Sequence, residues 1–450
     1  MRQRSTSQKV LIVIAGFMAV WLGAYFLYQK PHAEKTLPRL RARLGGGGAS
    51  AEFLNAKKAA EYYQYEIRRN PEVAENYVQL AHIFLQEARV TGRHHEYFPP
   101  AQEMLEEALR RHPNHFEALA TKAAMLLTLH RFAEAKQLAE QAQTRAPQTA
   151  FVYGVLCDAL LELGDYEGAV KACDEMLSRK PDLRAYARAA YLRELHGDRE
   201  GAVHVMRMAC DAGVSGQENR AWALYQLGKL YFNQGRPDTA AYIYRGILEE
   251  RPDYAYALEG LAQISSARGK VEEAIGQLKQ AYRLLPDHGF LESLAGLYRS
   301  NGQTEKADEM IKLVMENFVQ HEEQGWNIDL EYARFCGDHD LNLEEALRRS
   351  TREYGRRPNN IDALSVHAWL LHKSGKTAEA LPLMEQAMRL RTPRSEIYAR
   401  AGLMAQALGQ NQKAINYLEQ ALALNAHFST AEVRVAQQVL AELKRGNKVS

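Results

Sequence analysis

Prolines recur at a fixed interval in this chain, and that interval most constrains what it can become. Segments close in ALRRHP (Pro113), QTRAP (Pro147), LSRKP (Pro181), LEERP (Pro252), YRLLP (Pro286) and YGRRP (Pro358). The gaps 113–147, 147–181 and 252–286 are each 34 residues. Twelve places before each proline stands a small residue: Ala101, Ala135, Ala169, Ala240, Ala274 and Ala346. Another small residue often stands five places before it, as at Ala108, Ala142 and Ala281. A glycine recurs near mid-unit at Gly164, Gly235, Gly269, Gly302, Gly375 and Gly409.

Each feature has a physical cause. Alanines let two helices approach closely, and a glycine supplies the positive φ that ends the first helix. A proline cannot continue a helix and closes the second. Leucines and tyrosines at i, i+3, i+4 spacing give apolar faces. One hairpin cannot bury such a face, so neighbours stack into an array. A 34-residue period in helical sequence resembles the tetratricopeptide-repeat superfamily. The resemblance implies an all-α solenoid of about ten hairpins wound as a right-handed superhelix. The expected order is a half repeat at 52–70, then units near 74–115, 116–149, 150–182, 183–213, 221–254, 255–287, 288–321, 326–360, 361–394 and 395–428. The whole array covers 52–428, and residues 429–450 supply a capping helix and tail. Such stacking is expected to leave an open trough with no enclosed pocket.

Ahead of the array, Val10–Tyr28 reads VLIVIAGFMAVWLGAYFLY without a charge. A run of this length spans roughly 28 Å as a helix, close to a hydrocarbon core. Trp21, Tyr25 and Tyr28 sit toward one end, as interfacial aromatics do. A transmembrane helix over 10–28 is therefore expected, after a basic tail at 1–9. A cleaved signal peptide is the rival; no clean small-x-small site follows the run. Residues 29–51 read as a flexible, basic, glycine-rich linker containing Gly45–Gly48. Orientation is open on charge alone. Arg2, Arg4 and Lys9 precede the run, and Lys30, Lys35, Arg39, Arg41 and Arg43 follow it.

Three units depart from the period. Pro71 and Pro113 lie 42 apart, and ARVTGRHHEYFPPA (Ala88–Ala101) is assigned to an enlarged turn in which Arg93–Glu96 form a solvated polar knot. Unit 183–213 runs into the loop Ala212–Arg220, and unit 326–360 opens with the atypical GWNIDLEYARFCGDHD. The stretches ARVTG…YFPPA, YLRELHGD and WNIDLEYARFCGDH resemble one group of bacterial membrane-associated or exported tetratricopeptide proteins. That resemblance implies a single-pass membrane protein with its array on the extracytoplasmic (periplasmic) side.

Lys+Arg 57 against Asp+Glu 55 leaves a net charge of +2, which gives no reason to expect a nucleic-acid partner. There is no P-loop, HExxH, GxSxG or strand-linked GxGxxG, so no catalytic residue, cofactor or metal is assigned. Cys157, Cys173, Cys210 and Cys336 lack metal spacing and read as buried thiols, with a Cys157–Cys173 disulfide the alternative. In the superfamily the first helix of each hairpin lines the concave face. The resemblance places Phe151, Arg184, Tyr191, Glu194, Trp222, Tyr225, Lys229, Phe232 and Tyr256 there as a partner-binding groove. The expected function is a membrane-tethered, non-enzymatic scaffold binding a peptide segment or helix of an envelope or membrane protein. The alternative is a stable accessory or regulatory subunit of a membrane enzyme or secretion complex.

Overall fold

The structure is a computed structural model that describes residues 39–44, 50–427 and 430–446. The apolar run Val10–Tyr28 lies outside the described residues. No helix among those described is long and apolar enough to cross a membrane. Twenty-two α-helices and no strand occur among the described residues. Twenty of them pair in sequence as ten hairpins, from Ala74–Thr91 with His94–Arg111 to Ser395–Ala407 with Asn411–Leu424. Ala51–Arg69 leads the array and Thr430–Gly446 follows it. All belong to one unit, Leu40–Ser450.

The period is made of contacts. Ala101, Ala135, Ala169, Ala240, Ala274 and Ala346 are each 0% exposed, so nothing larger than a methyl fits where paired helices cross. The six mid-unit glycines all take positive φ, between 70° and 81°. Their place is held by His130 (φ 56°) in hairpin 116–145 and by Asp340 (φ 56°) in hairpin 329–356, which is why the glycine signal lapses there. All four cysteines are free and buried, so Cys157 and Cys173 form no disulfide.

Stacking alone would give a spiral with a gap between successive turns. In this chain the turns touch. Asn327 N–H donates to the Leu129 carbonyl (3.0 Å), and the Asn360 side-chain amide donates to the Glu162 carbonyl (3.0 Å). Ile361 N–H donates to the Tyr166 hydroxyl (2.9 Å), and the Thr392 hydroxyl donates to the Leu195 carbonyl (2.6 Å). The side-chain bonds across this seam join residues 195–199 apart in sequence. Hairpins 116–145 and 150–179 thus meet hairpins 329–356 and 361–387, six units further on. The trough expected from sequence is therefore closed along this seam. Six hairpins complete one turn, and the next turn seats on its edge.

Two other expectations change. The stretch Ala88–Ala101 is no enlarged turn. Residues through Thr91 extend the first helix, the second starts at His94, and Pro99 and Pro100 lie inside it. Only Gly92 and Arg93 link the two helices, so the extra residues lengthen the hairpin. Nor is the expected linker free throughout. Leu40 is buried, and the Arg43 guanidinium is buried against the Glu87 carboxylate (2.5 and 3.1 Å) and Glu52 (2.9 Å). Glu52 also pairs with Arg251 (3.1 Å) from the following turn.

Gly164 sits in the seam: a Cβ there would overlap the backbone of Asn359 and Asn360, whereas Gly235 has open space around it. Gly235→Ala should cost about 1–2 kcal/mol for left-handed backbone alone. Gly164→Ala is expected to cost at least about 1 kcal/mol more, because a backbone collision is added. Urea-unfolding midpoints compare the two, and equal midpoints would remove the seam.

Candidate functional site

Closing the seam turns the concave surface into the wall of a lumen of about 2110 Å³. Its lining runs from Glu52 to Glu432 and comes mainly from first helices, the inner layer of each hairpin. Seven sequence-assigned groove residues reach it: Phe151, Arg184, Tyr191, Glu194, Trp222, Lys229 and Phe232. Tyr225 and Tyr256 do not; they pack between neighbouring hairpins. The Tyr225 hydroxyl donates to Glu259 (2.5 Å), and its ring lies 5.9 Å from Tyr244 and 5.5 Å from Tyr256. Tyr256 donates in turn to Asp287 (3.2 Å). Tyr244 is fully buried where Gly228 and Gly260 leave room, since a Cβ at either would overlap its ring. The missing side chains draw the tyrosines into the wall.

The lining carries ten Asp or Glu and eight Arg or Lys among the described residues. Its arginines are mostly neutralised by carboxylates. Arg188 forms a two-pronged pair with Asp158 (2.8 and 2.6 Å), and Arg394 pairs with Asp362. Arg400 bridges Glu432 and Asp338 (both 2.8 Å), and Arg334 meets Glu292 (2.9 Å). Partners such as 158 and 188, 362 and 394, or 400 and 432 lie 30–32 residues apart, the step between adjacent first helices. They act as rivets between hairpins, and bidentate geometry gives them orientation as well as attraction. Asp362 and burial act in opposite senses on Arg394, and the carboxylate prevails and raises its pKa. Burial pushes the Glu194 carboxyl up instead. None of these arginines was singled out from sequence. The signal that could have found them is an acid and an arginine about 30 apart at one register of successive units.

Where hairpin 288–323 passes to hairpin 329–356, Trp326 centres an aromatic joint that the lining residues His94 and Phe98 share. His321 stacks on it at 4.8 Å and Phe98 at 5.9 Å, while His94 (5.3 Å) and His130 (5.8 Å) approach edge-on. The residues expected as a solvated knot therefore include a wall residue, His94, held in this aromatic joint across the seam. Burial lowers the His94 imidazole to about 4, and burial with neighbouring histidines lowers His321 to about 4. His130 is raised: burial opposes its charge, but the Glu331 carboxylate at 3.4 Å outweighs it. Glu331 in turn falls to about 2, its own burial being outweighed by the hydrogen bond to His130. No group of three or more His, Cys, Asp or Glu among the described residues is placed to hold a metal ion.

These parts define a helical-repeat solenoid with a charge-paired lumen closed along the seam. Family models described as tetratricopeptide repeat match residues 95–150 and 225–289, 126–193, and 395–428. Those stretches are tetratricopeptide repeats. No curated protein sequence matches the chain. Solved structures with similarity include a monomeric IFIT1 variant (14% identity, 83% of this chain and 86% of that one, TM-score 0.44). The Cut9–Hcn1 hetero-tetramer of APC/C matches at 12% identity over 87% of this chain and 93% of that one (TM-score 0.39). Yeast Tom70 matches at 13% identity over 87% and 94% (TM-score 0.34).

The joint predicts a pH response. His94 and His321 are held low, so between about 4 and 6.5 the unfolded chain binds more protons than the folded one. Stability should fall as pH drops through that window. His130 works in the opposite sense: its raised value stabilises below 6.5 and that stability is lost as pH rises through the folded value. Moving from pH 7 to pH 5 should cost roughly 1–2 kcal/mol per lowered histidine. In His94→Gln with His321→Gln the pH 7 to pH 5 drop in urea midpoint should shrink; an unchanged drop rejects the assignment.

Proposed function

We propose that this chain is a non-catalytic binding scaffold whose lumen holds a peptide segment, extended or helical, of another protein. The observation that carries the reading is the seam. A lumen sealed along its side admits a chain segment through its ends and excludes a folded domain. Its wall offers what a segment needs: aromatic faces at Phe151, Tyr191 and Trp222, with polar groups between them. Its acids and bases are nearly balanced and its arginines mostly paired, so a nucleic-acid backbone finds little unspent positive charge. In this reading Val10–Tyr28 anchors the chain in a membrane, the array lies on the extracytoplasmic side, and the segment belongs to a membrane or envelope protein. Tethering raises the effective concentration against such partners.

A threaded occupant leaves only along the axis, and that favours slow exchange. The enclosure therefore also supports the second reading, in which the chain is a stable accessory or regulatory subunit of a membrane complex. Native mass spectrometry of the detergent-extracted protein separates a stoichiometric partner from a transient one.

A photo-crosslinking residue at Trp222 in the anchored protein should trap a protein segment, and one at the exposed Tyr242, outside the lumen, should not. Trp222→Ala with Tyr191→Ala should reduce trapping from a probe at Phe151 about tenfold, the loss of roughly 1–2 kcal/mol. Circular dichroism should stay unchanged. Equal trapping at Trp222 and Tyr242 would reject the lumen. Alkaline extraction should leave the full chain with membranes and release a chain lacking 10–28.

A further inference from the structure

The leading helix Ala51–Arg69 buries Phe53, Ala60 and Ile67 against the array and turns its opposite face outward. That face mixes charged side chains with large apolar ones. Leu54 is 46% exposed, Tyr62 57% and Tyr65 53%, three of the most exposed large apolar side chains among the described residues. At 100° per residue they fall on one stripe. Lys58 and Arg69 are exposed between them, and Lys57, Arg68 and the exposed acid Glu61 follow along one side. Tyrosines and a leucine interleaved with cations, whose long stems can snorkel, suit a helix lying at a bilayer interface.

We infer that this face of Ala51–Arg69 docks on an anionic lipid surface and orients the array against the membrane. The inference rests on the reading of Val10–Tyr28 as an anchor. Chain length carries it further: eleven residues separate Tyr28 from Leu40, a span of at most about 40 Å fully extended. Leu40–Leu44 are then fastened to the first hairpin through Arg43, Glu87 and Glu52, and Glu52 lies on the leading helix itself. In that reading connectivity limits how far this helix can stray from the membrane. The tyrosines take the place where phenols settle in the interface, and the four cations meet anionic headgroups from within a Debye length.

The test uses the full chain, reconstituted in vesicles of phosphatidylcholine alone or with one-third phosphatidylglycerol. A fluorophore is attached at Tyr65→Cys or, as the control, at the exposed Tyr242→Cys; the native cysteines are buried and escape labelling in the folded protein. Spin-labelled lipid serves as quencher. The Tyr65 probe is expected to be quenched at least fivefold more than the Tyr242 probe in the anionic vesicles. The excess should fall in high salt and in Lys57→Glu with Lys58→Glu. Co-flotation with vesicles but equal quenching at both positions overturns the docking face and leaves the anchor standing. Protection of the Tyr65 probe that persists in detergent assigns the face to a protein contact and also overturns it. A chain that fails to co-float removes the anchor, and the proposal with it.

Discussion

The contact of one superhelical turn with the next governs the rest of this molecule. Repeat arrays draw stability from neighbours in sequence, and each unit needs only the one before and after it. Here a third neighbour is added, six hairpins away. The edge it forms is polar and specific: backbone to backbone at Asn327 and Leu129, side chain to backbone at Asn360 and Glu162, hydroxyl to carbonyl at Thr392 and Leu195. Such bonds have directional demands that an apolar face lacks. They fix how far the spiral advances per turn and close the side of the lumen. An array held only by neighbours can flex like a spring, whereas one bonded between turns resists stretching.

How much of this was legible in the sequence follows from the range of each interaction. Hairpins, their buried alanines and their glycine turns arise from contacts inside one period, so they print a periodic signal. His130 and Asp340 hid two turns because His and Asp tolerate positive φ only occasionally, yet here each does so. The seam joins residues about 197 apart, and that distance marks no repeated motif. Asn327, Asn360 and Thr392, which make it, look like ordinary turn residues in the sequence. The insertion misled for a related reason. Two prolines and a glycine look like a loop, but the Phe98–Trp326 stack and the half-buried His94 hold the residues before Pro99 in the wall.

The lumen illustrates a different limit. Placing first-helix residues on the concave surface works while helices share one orientation. It put Phe151, Trp222 and Phe232 on the wall, yet Tyr225 and Tyr256 turn into the interface because Gly228 and Gly260 open space around Tyr244. A register rule carries the average rotation of a helix; an absent Cβ shifts which side chain fills the gap. The arginine rivets escaped for the opposite reason. Their residues look like ordinary surface charge until the partner one unit later is known.

These rivets also bear on what the wall can recognise. A guanidinium already paired to a carboxylate presents a fixed, nearly neutral polar surface. Drawing it to a new anion would strand the original acid in a poorly hydrated place, which is costly. Aromatic faces impose no such penalty, because they are satisfied by any flat or methylene-rich group. Discrimination along the lumen therefore falls to shape and to the spacing of rings, with charge acting to repel an occupant that carries a dense row of either sign. A segment of mixed, moderately apolar composition meets the least resistance. In the proposed reading an occupant enters end-on, so its selection begins at an end of the lumen.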